Sequence, residues 1–311
     1  MRTLRFHEYG EPADVLRLEE ADAPQPRPGH IRVRVQACAL NPADWALCRG
    51  LFAGDLPRGV GLDVAGIVDA VGDGVTDIGD GDRALGSASF STYPSAGASG
   101  FAVLERWAQA PGGLDLIEAA ALPMAVETAS LHLDALSPSP GQTVLIHAAG
   151  TMMGFAAVQM ALMRGARVIA TAGETFAGRL RALGAFVTSY GEGMVERVRE
   201  IAGGAPDLVL DTAWPNGALP DLIKIAGGDP RRVLTMTDFA SAAELGARHS
   251  FGETMQRREG VLAEFAGLTA EGRFTVPIAR TFPLGDWREA LAASLSGHAH
   301  GKLMLLPVGA P

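Results

Sequence analysis

The segment that most restricts what this chain can become is Val144-Leu-Ile-His-Ala148, an apolar run that passes straight into Ala149-Gly-Thr-Met-Met-Gly154. A further apolar stretch of helical length follows and stops at Arg164-Gly165. Strand, glycine loop and helix in direct succession form an anion site. The helix N-terminus offers unpaired N–H groups and the positive end of the dipole, so a pyrophosphate can be held there without any basic side chain. Counted back from Gly154, the G-x-G-x-x-G spacing expects glycines at 149 and 151, where Ala149 and Thr151 stand. Only the third glycine, which lets helix and strand pack closely, is intact. A threonine at the second position leaves two outcomes open: its Cβ crowds the pyrophosphate, or its hydroxyl donates to it.

Five more strand-like runs follow the first, at 167–171, 186–190, 207–211, 232–236 and 248–251, with helix-length spacers between them. Six strands in that rhythm make a doubly wound parallel sheet, buried on both faces and therefore continuously apolar. One spacer, 175–183, stops at Gly184; another sets Val195, Val198 and Ile201 at three-residue spacing before Gly203-Gly204. The second strand ends at Ala172-Gly173, without the carboxylate that would hold the ribose of NAD, which favours NADP. Glu174 weighs against a 2′-phosphate. Arg179 and Arg181 are either partners for that phosphate or solvated arginines on a helix face.

The half before about residue 110 has a different texture. Ile31-Arg-Val-Arg-Val-Gln36 alternates apolar and polar, Pro24, Pro26, Pro28 and Gly29 precede it, and Gly72, Gly74, Gly79 and Gly81 follow the run 64–71. This half reads as all-β or nearly so. The tail reads as a helix from 254, a strand at 274–278, a helix through 287–293 and a last strand at 302–306, a pattern closer to the first half than to the middle. The expected organisation is a β domain (1–118), an inserted nucleotide domain (119–253) and a return to the first domain (254–311). At 311 residues the chain is long enough for two domains, and 26 Lys+Arg against 35 Asp+Glu give a net charge of −9, which argues against a nucleic-acid or anionic-membrane surface. Polar residues interrupt 144–163, so it reads as strand plus helix and not as a membrane span. Cys38 and Cys48 are too few for a disulfide framework or a four-thiolate zinc site, and the N-terminus lacks a signal-like apolar run. A reduced cytoplasmic protein is the expectation. Lys224 and Lys302 are the only lysines; every other cation is arginine, read as compositional bias in an Ala/Gly-rich chain.

Taken in order, Gly10-Glu-Pro12, Val35-Gln-Ala-Cys-Ala-Leu-Asn-Pro-Ala-Asp44, Gly61-Leu-Asp-Val-Ala-Gly-Ile-Val68, Val71-Gly-Asp-Gly-Val75, Gly81-Asp-Arg83, Ala119-Ala-Ala-Leu-Pro123, the strand and glycine loop to Gly154, and His300-Gly-Lys302 form an ordered set over nearly the whole chain. This set resembles the medium-chain dehydrogenase/reductase superfamily, in its zinc-free quinone oxidoreductase (zeta-crystallin-like) branch. The resemblance implies an α/β architecture with a GroES-like β domain around an inserted Rossmann domain, a cleft between them, and a homodimer. The catalytic zinc ligands of the alcohol dehydrogenases align with Asn41 and Leu62-Asp63, so no catalytic metal is expected. The implied cofactor is NADPH, passing hydride to a small hydrophobic quinone or α,β-unsaturated carbonyl.

By position the resemblance puts Asn41 and Thr128 near the nicotinamide, Gly150, Thr151, Met152, Met153 and Gly154 on the pyrophosphate, Gly173 and Tyr190 around the adenosine, and Asp211, Thr212 and Met236 along the cofactor. Lys302, which matches the family's terminal Gly-Lys, is likewise placed on the cofactor. Departures are Thr151-Met152 for paired glycines, Ser189 for Asn before Tyr190, Ala46 for a tyrosine, Val103 for a glutamate, and no lysine within 174–178. Trp45, Phe52, Phe90, Tyr93, Trp214 and Phe239 are the nominated apolar wall of the substrate pocket, and Ser/Ala/Gly-rich 86–100 a mobile lid. Candidate catalytic groups are Asn41 as donor to the reduced oxygen, with the nicotinamide ribose hydroxyl, and Tyr93 or water as the proton source. His147 is expected as a satisfied core histidine, and His298-Ala-His300 as a surface turn. Two other readings stay open: a redox-neutral cyclase, dehydratase or isomerase whose altered loop no longer takes a dinucleotide, and a non-catalytic nucleotide-binding member.

Overall fold

The computed structural model describes residues 1–307. The chain divides into two compact units, one made of Met1–Met124 together with the residues from Leu262 onward, the other of Ala125–Val261. The divisions therefore fall at 124/125 and 261/262, not at 118/119 and 253/254. Helix Leu116–Ala120 packs on strands Ile31–Leu40 and Asp63–Val71, which draws the first division later.

The second unit holds a six-stranded sheet, all parallel, in the order Phe186–Thr188, Arg167–Thr171, Thr143–His147, Leu208–Asp211, Val233–Thr235, Arg248–His249. Chain order reverses at Thr143–His147, and in such sheets ligands sit beyond the carboxyl ends of the strands flanking the reversal. Strand Thr143–His147 is buried except at its first residue, as its continuous apolar run requires. Helix Met194–Ala202 buries Met194 and Val198 and stops at Gly203, whose φ of 74° suits glycine alone.

In the first unit, strands Ile31–Leu40, Asp63–Val71, Arg83–Ala88 and Phe101–Gln109 pair antiparallel in succession, and Ile31–Leu40 also pairs with Phe101–Gln109, closing the four on themselves. Such closure removes free sheet edges. Strand Lys302–Leu306 adds antiparallel to Ile31–Leu40, with Ile278–Pro283 parallel outside it. The tail thus rejoins the β unit by main-chain hydrogen bonds. Two short helices, Pro12–Val15 and Pro42–Cys48, interrupt a first half expected to be nearly all strand.

Two local expectations fail. The tail strand runs over Ile278–Pro283, not 274–278; Pro277 has no N–H to give a ladder. Segment 86–100 is no loose lid: most of it is buried, Gly97 and Ala98 donate to the carbonyls of Gly61 and Val60, and Ala98 accepts from Leu4. Small residues are required there, because a Cβ at Gly97 would lie 2.4 Å from Val64 Cγ2. No helix among the described residues is long and apolar enough to cross a membrane.

Candidate functional site

The glycine loop of the second unit is locked by two threonines. Thr151 is the N-cap of helix Met152–Met163, its hydroxyl accepting from Gly154 N at 3.0 Å, and it lies 2.9 Å from the hydroxyl of Thr212. Thr212 Oγ1 is 2.8 Å from the carbonyl of His147 and 3.0 Å from that of Ala148. A hydroxyl has one proton to give. With Thr212's proton on a carbonyl, Thr151 donates to Thr212. The Thr151 hydroxyl is thus spent on Thr212 within the protein. Gly154 is required by this lock: a Cβ on it would lie 2.6 Å from Thr212 Oγ1 and 2.8 Å from the Ala148 carbonyl. Ala148 takes a left-handed φ of 56° to turn the strand into the loop, a conformation that costs a non-glycine residue about 1 kcal/mol.

With Gly154 N capped and Thr151 N bonded to the Ala148 carbonyl, the N–H groups of Gly150, Met152 and Met153 have no partner among the described residues. Three backbone donors at the start of a twelve-residue helix suit the oxygens of a pyrophosphate. At the next strand end, a Cβ on Gly173 would come within 3.5 Å of the Tyr190 hydroxyl, so the two residues named for the adenosine do meet; the Tyr190 ring is exposed. Glu174, Arg179 and Arg181 are exposed on helix Glu174–Ala182. Asp211 is buried, accepting from Thr235 Oγ1 at 2.9 Å and Ala213 N at 3.1 Å, and burial raises its pKa to about 6. Met236, also buried, donates its N–H to the Asp211 carbonyl. The Thr128 carbonyl accepts from His132 Nδ1 at 2.7 Å. His147 is buried and bonds Thr171 Oγ1 through Nδ1, but its Nε2 has no partner, and desolvation lowers its pKa to about 4. It is only half satisfied.

The first unit holds a buried polar cluster built from distant segments. Asn41 caps helix Pro42–Cys48, where Asp44 Oδ2 accepts from Asn41 N at 2.7 Å and Asp44 Oδ1 from Gly61 N and Leu62 N at 2.6 and 3.0 Å. Burial pushes the Asp44 pKa up to about 7. The Asn41 carboxamide donates to Asp63 Oδ2 at 3.0 Å and to the Ala39 carbonyl at 3.4 Å, and its oxygen accepts a short bond from Lys302 Nζ. Lys302 Nζ also donates to Asp63 Oδ2 at 3.0 Å, and Asp63 Oδ1 accepts from Met124 N. Asn41 and Lys302 are each 4% exposed. Both N–H groups of Asn41 are committed within the cluster, contrary to its expected role as donor to a substrate oxygen. The ion pair between Lys302 and Asp63 was not foreseen; its one signal was a lysine in a chain that otherwise uses arginine.

The nominated aromatic wall separates into two groups. Trp45 is 2% exposed in the core, its indole N–H donating to Ser294 Oγ at 2.8 Å. Tyr93 is buried too, its hydroxyl accepting from Arg27 N at 2.9 Å and lying 3.2 Å from His30 Nδ1. Both are buried anchors, the Tyr93 hydroxyl being engaged by Arg27 and His30. Phe52, 56% exposed with a φ of 51°, lies 6.3 Å from the half-buried Phe90 ring. Buried Arg58, missed in the sequence, holds the pair: it donates to the carbonyls of Phe52 and Phe90 and covers the Phe90 ring at 5.5 Å. In the second unit Trp214 is exposed, and Phe239 packs edge-on against Phe251 at 4.6 Å.

Residues 27–113 match the alcohol dehydrogenase GroES-like domain family, and 183–305 the zinc-binding dehydrogenase family. The chain is 34% identical to erythronolide synthase EryA2 of Saccharopolyspora erythraea over 94% of its own length but only 8% of that protein. It is 28% identical to a quinone oxidoreductase of Pseudomonas aeruginosa over 98% of this chain and 99% of that one. Among solved structures, the Escherichia coli quinone oxidoreductase complexed with NADPH superposes with a TM-score of 0.83 at 26% identity, covering 99% of this chain and 100% of that one. Both family models, relatives aligned end to end and the arrangement of sheets agree: the chain belongs to the medium-chain dehydrogenase/reductase superfamily, in its zinc-independent, quinone-oxidoreductase-like branch.

Proposed function

We propose that this protein is an NADPH-dependent reductase of quinones or α,β-unsaturated carbonyls. The observation that carries the reading is the set of free N–H groups on Gly150, Met152 and Met153, in a loop that Thr151 and Thr212 hold open. When bound, the reduced nicotinamide supplies a hydride to the electron-poor substrate, whose oxygen takes up the negative charge. The three backbone donors hold the pyrophosphate, and the loop is already in its binding shape, so little ordering remains to be done. Gly173 and Tyr190 flank the adenosine. Ala172, where an NAD enzyme has its acid, leaves room for the 2′-phosphate, with Arg179 and Arg181 as its partners. The Phe52–Phe90 pair gives a flat, electron-poor ring an apolar surface. The positions of the zinc ligands in related dehydrogenases are Asn41, Leu62 and Asp63, of which two are bound up with Lys302.

The test is a panel of quinones and enones with NADPH, in the presence and absence of a strong chelator, followed by loss of nicotinamide absorbance. Turnover on members of either class, unchanged by the chelator, supports the reading. No turnover on any member, in folded protein that binds NADPH, sinks it.

A further inference from the structure

His132 and Ser250 stand 118 positions apart in the chain and meet in the second unit. His132 lies on helix Pro123–Leu136, 2% exposed; Ser250 directly follows strand Arg248–His249, at the carboxyl end of the sheet, the side on which ligands bind in this architecture. Only one polarity fits their contact. A carbonyl can only accept, so the His132 Nδ1 that lies 2.7 Å from the Thr128 carbonyl carries the ring proton. Nε2 is then the acceptor of the neutral ring, and the Ser250 hydroxyl, 2.6 Å away, donates to it. Burial lowers the His132 pKa, which keeps the ring neutral at pH 7. A serine hydroxyl donating to an imidazole whose other nitrogen is held in place is the arrangement that activates a nucleophile, with the Thr128 carbonyl standing where a carboxylate is more usual.

The surroundings suit an acyl group. Gly252 N donates to the His249 carbonyl at 2.9 Å, which sets Ser250 and Phe251 at the middle of a turn. Ser250 is half-buried, so its hydroxyl is held by His132 yet reachable from solvent. The Phe251 N–H has no partner among the described residues, and the N–H one residue past the nucleophile is where hydrolases carry a donor for the oxyanion. The Phe251 ring, 67% exposed, offers an apolar surface beside it. From this turn the chain runs back along the helix: Arg248 Nη2 donates to the Ala135 carbonyl, Ser250 meets His132, and Arg257 lies 3.7 Å from Glu127. Between helix and returning segment is a cavity lined by Glu127, Ser130, Leu131, Arg257, Arg258 and Val261, with Leu131 adjoining His132 in sequence.

We propose that Ser250 and His132 form an acyl-transfer site in the second unit, which hydrolyses small esters with an apolar acyl group. Ser250 Oγ bonds to the ester carbon while its proton passes to His132 Nε2 and the carbonyl π pair moves to oxygen. The pair then returns, the ester C–O bond breaks, and the leaving alcohol takes the proton from Nε2. Water next attacks the acyl-serine and gives a proton to His132; the Ser250–acyl bond breaks, the carboxylic acid departs and Ser250 regains its proton. No nucleotide takes part, so the failure of this activity would leave the reductase reading as it stands.

The experiment treats the full chain with a fluorophosphonate, locates the adduct by peptide mass, and follows nitrophenolate release from 4-nitrophenyl acetate and butyrate. The expected result is an adduct on Ser250 and release that continues beyond one nitrophenolate per chain. Ser250→Ala and His132→Gln each lower kcat/KM about 100-fold, and the double variant loses no more than either alone, because nucleophile and base act as one unit. His132 is buried, so a melting curve accompanies its variant; where that variant does not fold, the adduct and Ser250→Ala decide the matter. The proposal is overturned if folded wild type takes no adduct on Ser250, if release stops at one nitrophenolate per chain, if Ser250→Ala hydrolyses the esters as wild type does, or if the double variant multiplies the two losses.

Discussion

The two polar sites of this chain are built in opposite ways. In the second unit, the loop 148–154 is held by one short-range contact, Thr151 capping the helix it begins, and one distant one, Thr212, and its free donors belong to the backbone. In the first unit, Asn41, Asp63 and Lys302 come from three separate strands or strand ends, and its charges belong to side chains. A backbone site tolerates side-chain change wherever no Cβ intrudes. A buried ionic site does not, because each member satisfies the desolvated charge of another.

The sharpest way to break this contrast is Asp63→Asn, which leaves the Lys302 ammonium buried without its ion-pair partner. The expected loss is about 3 kcal/mol of stability, read by urea denaturation; a loss below 1 kcal/mol would mean that water reaches the ammonium freely. Next comes Gly154→Ala. Its Cβ would press on Thr212 and on the loop backbone, so the loop opens, at a cost of about 2 kcal/mol, and NADPH affinity falls steeply. Retained affinity would show that the loop geometry is not what binds. Thr151→Ala removes the cap and costs about 1 kcal/mol, whereas Thr151→Gly, which keeps a tolerated N-cap, costs a few tenths and leaves nucleotide binding intact. If Thr151→Gly instead weakened binding as much as Thr151→Ala, the hydroxyl would be contacting the cofactor.

The smallest effect is in the pH dependence. Burial raises the Asp211 carboxyl to about 6 and the Asp44 carboxyl to about 7. A raised folded-state pKa gives stability that is present below the unfolded value and is lost as pH rises through the folded one. Between roughly pH 4 and 7 these two groups therefore make the fold less stable as pH rises, while His147, lowered to about 4, acts in the reverse sense over much of that range. Asp211→Asn isolates one contribution: its melting temperature relative to wild type should rise from pH 4 to pH 6. A flat difference would place the Asp211 carboxyl near its ordinary value.

How legible each region was follows the same division. Strands 167–171 and 302–306 were read to the residue, since an apolar run bounded by a turn is a local signal. The loop was read as an anion site for the same reason, although the role of Thr151 depended on Thr212, 61 residues away. Trp45 and Tyr93 were assigned to the pocket from loop position alone; what buries them is Ser294 for one and Arg27 with His30 for the other, and neither contact leaves a trace in spacing. The lid at 86–100 was inferred from small residues, which here serve close packing against Gly61 and Val64. The pair formed by Asp63 and Lys302 spans 239 positions, beyond any periodicity argument, and composition discounted the rarity of lysine that was its only signal.

A reductase of this kind must bind its dinucleotide on the backbone donors of the second unit, and the direct measurement is a titration of the full chain with NADPH and NADH, following nicotinamide fluorescence. Micromolar binding with NADPH preferred, lost in Gly154→Ala and kept in Thr151→Gly, is the predicted result. No binding of either nucleotide to folded protein would contradict the reductase function and point to redox-neutral or non-catalytic roles for the same scaffold.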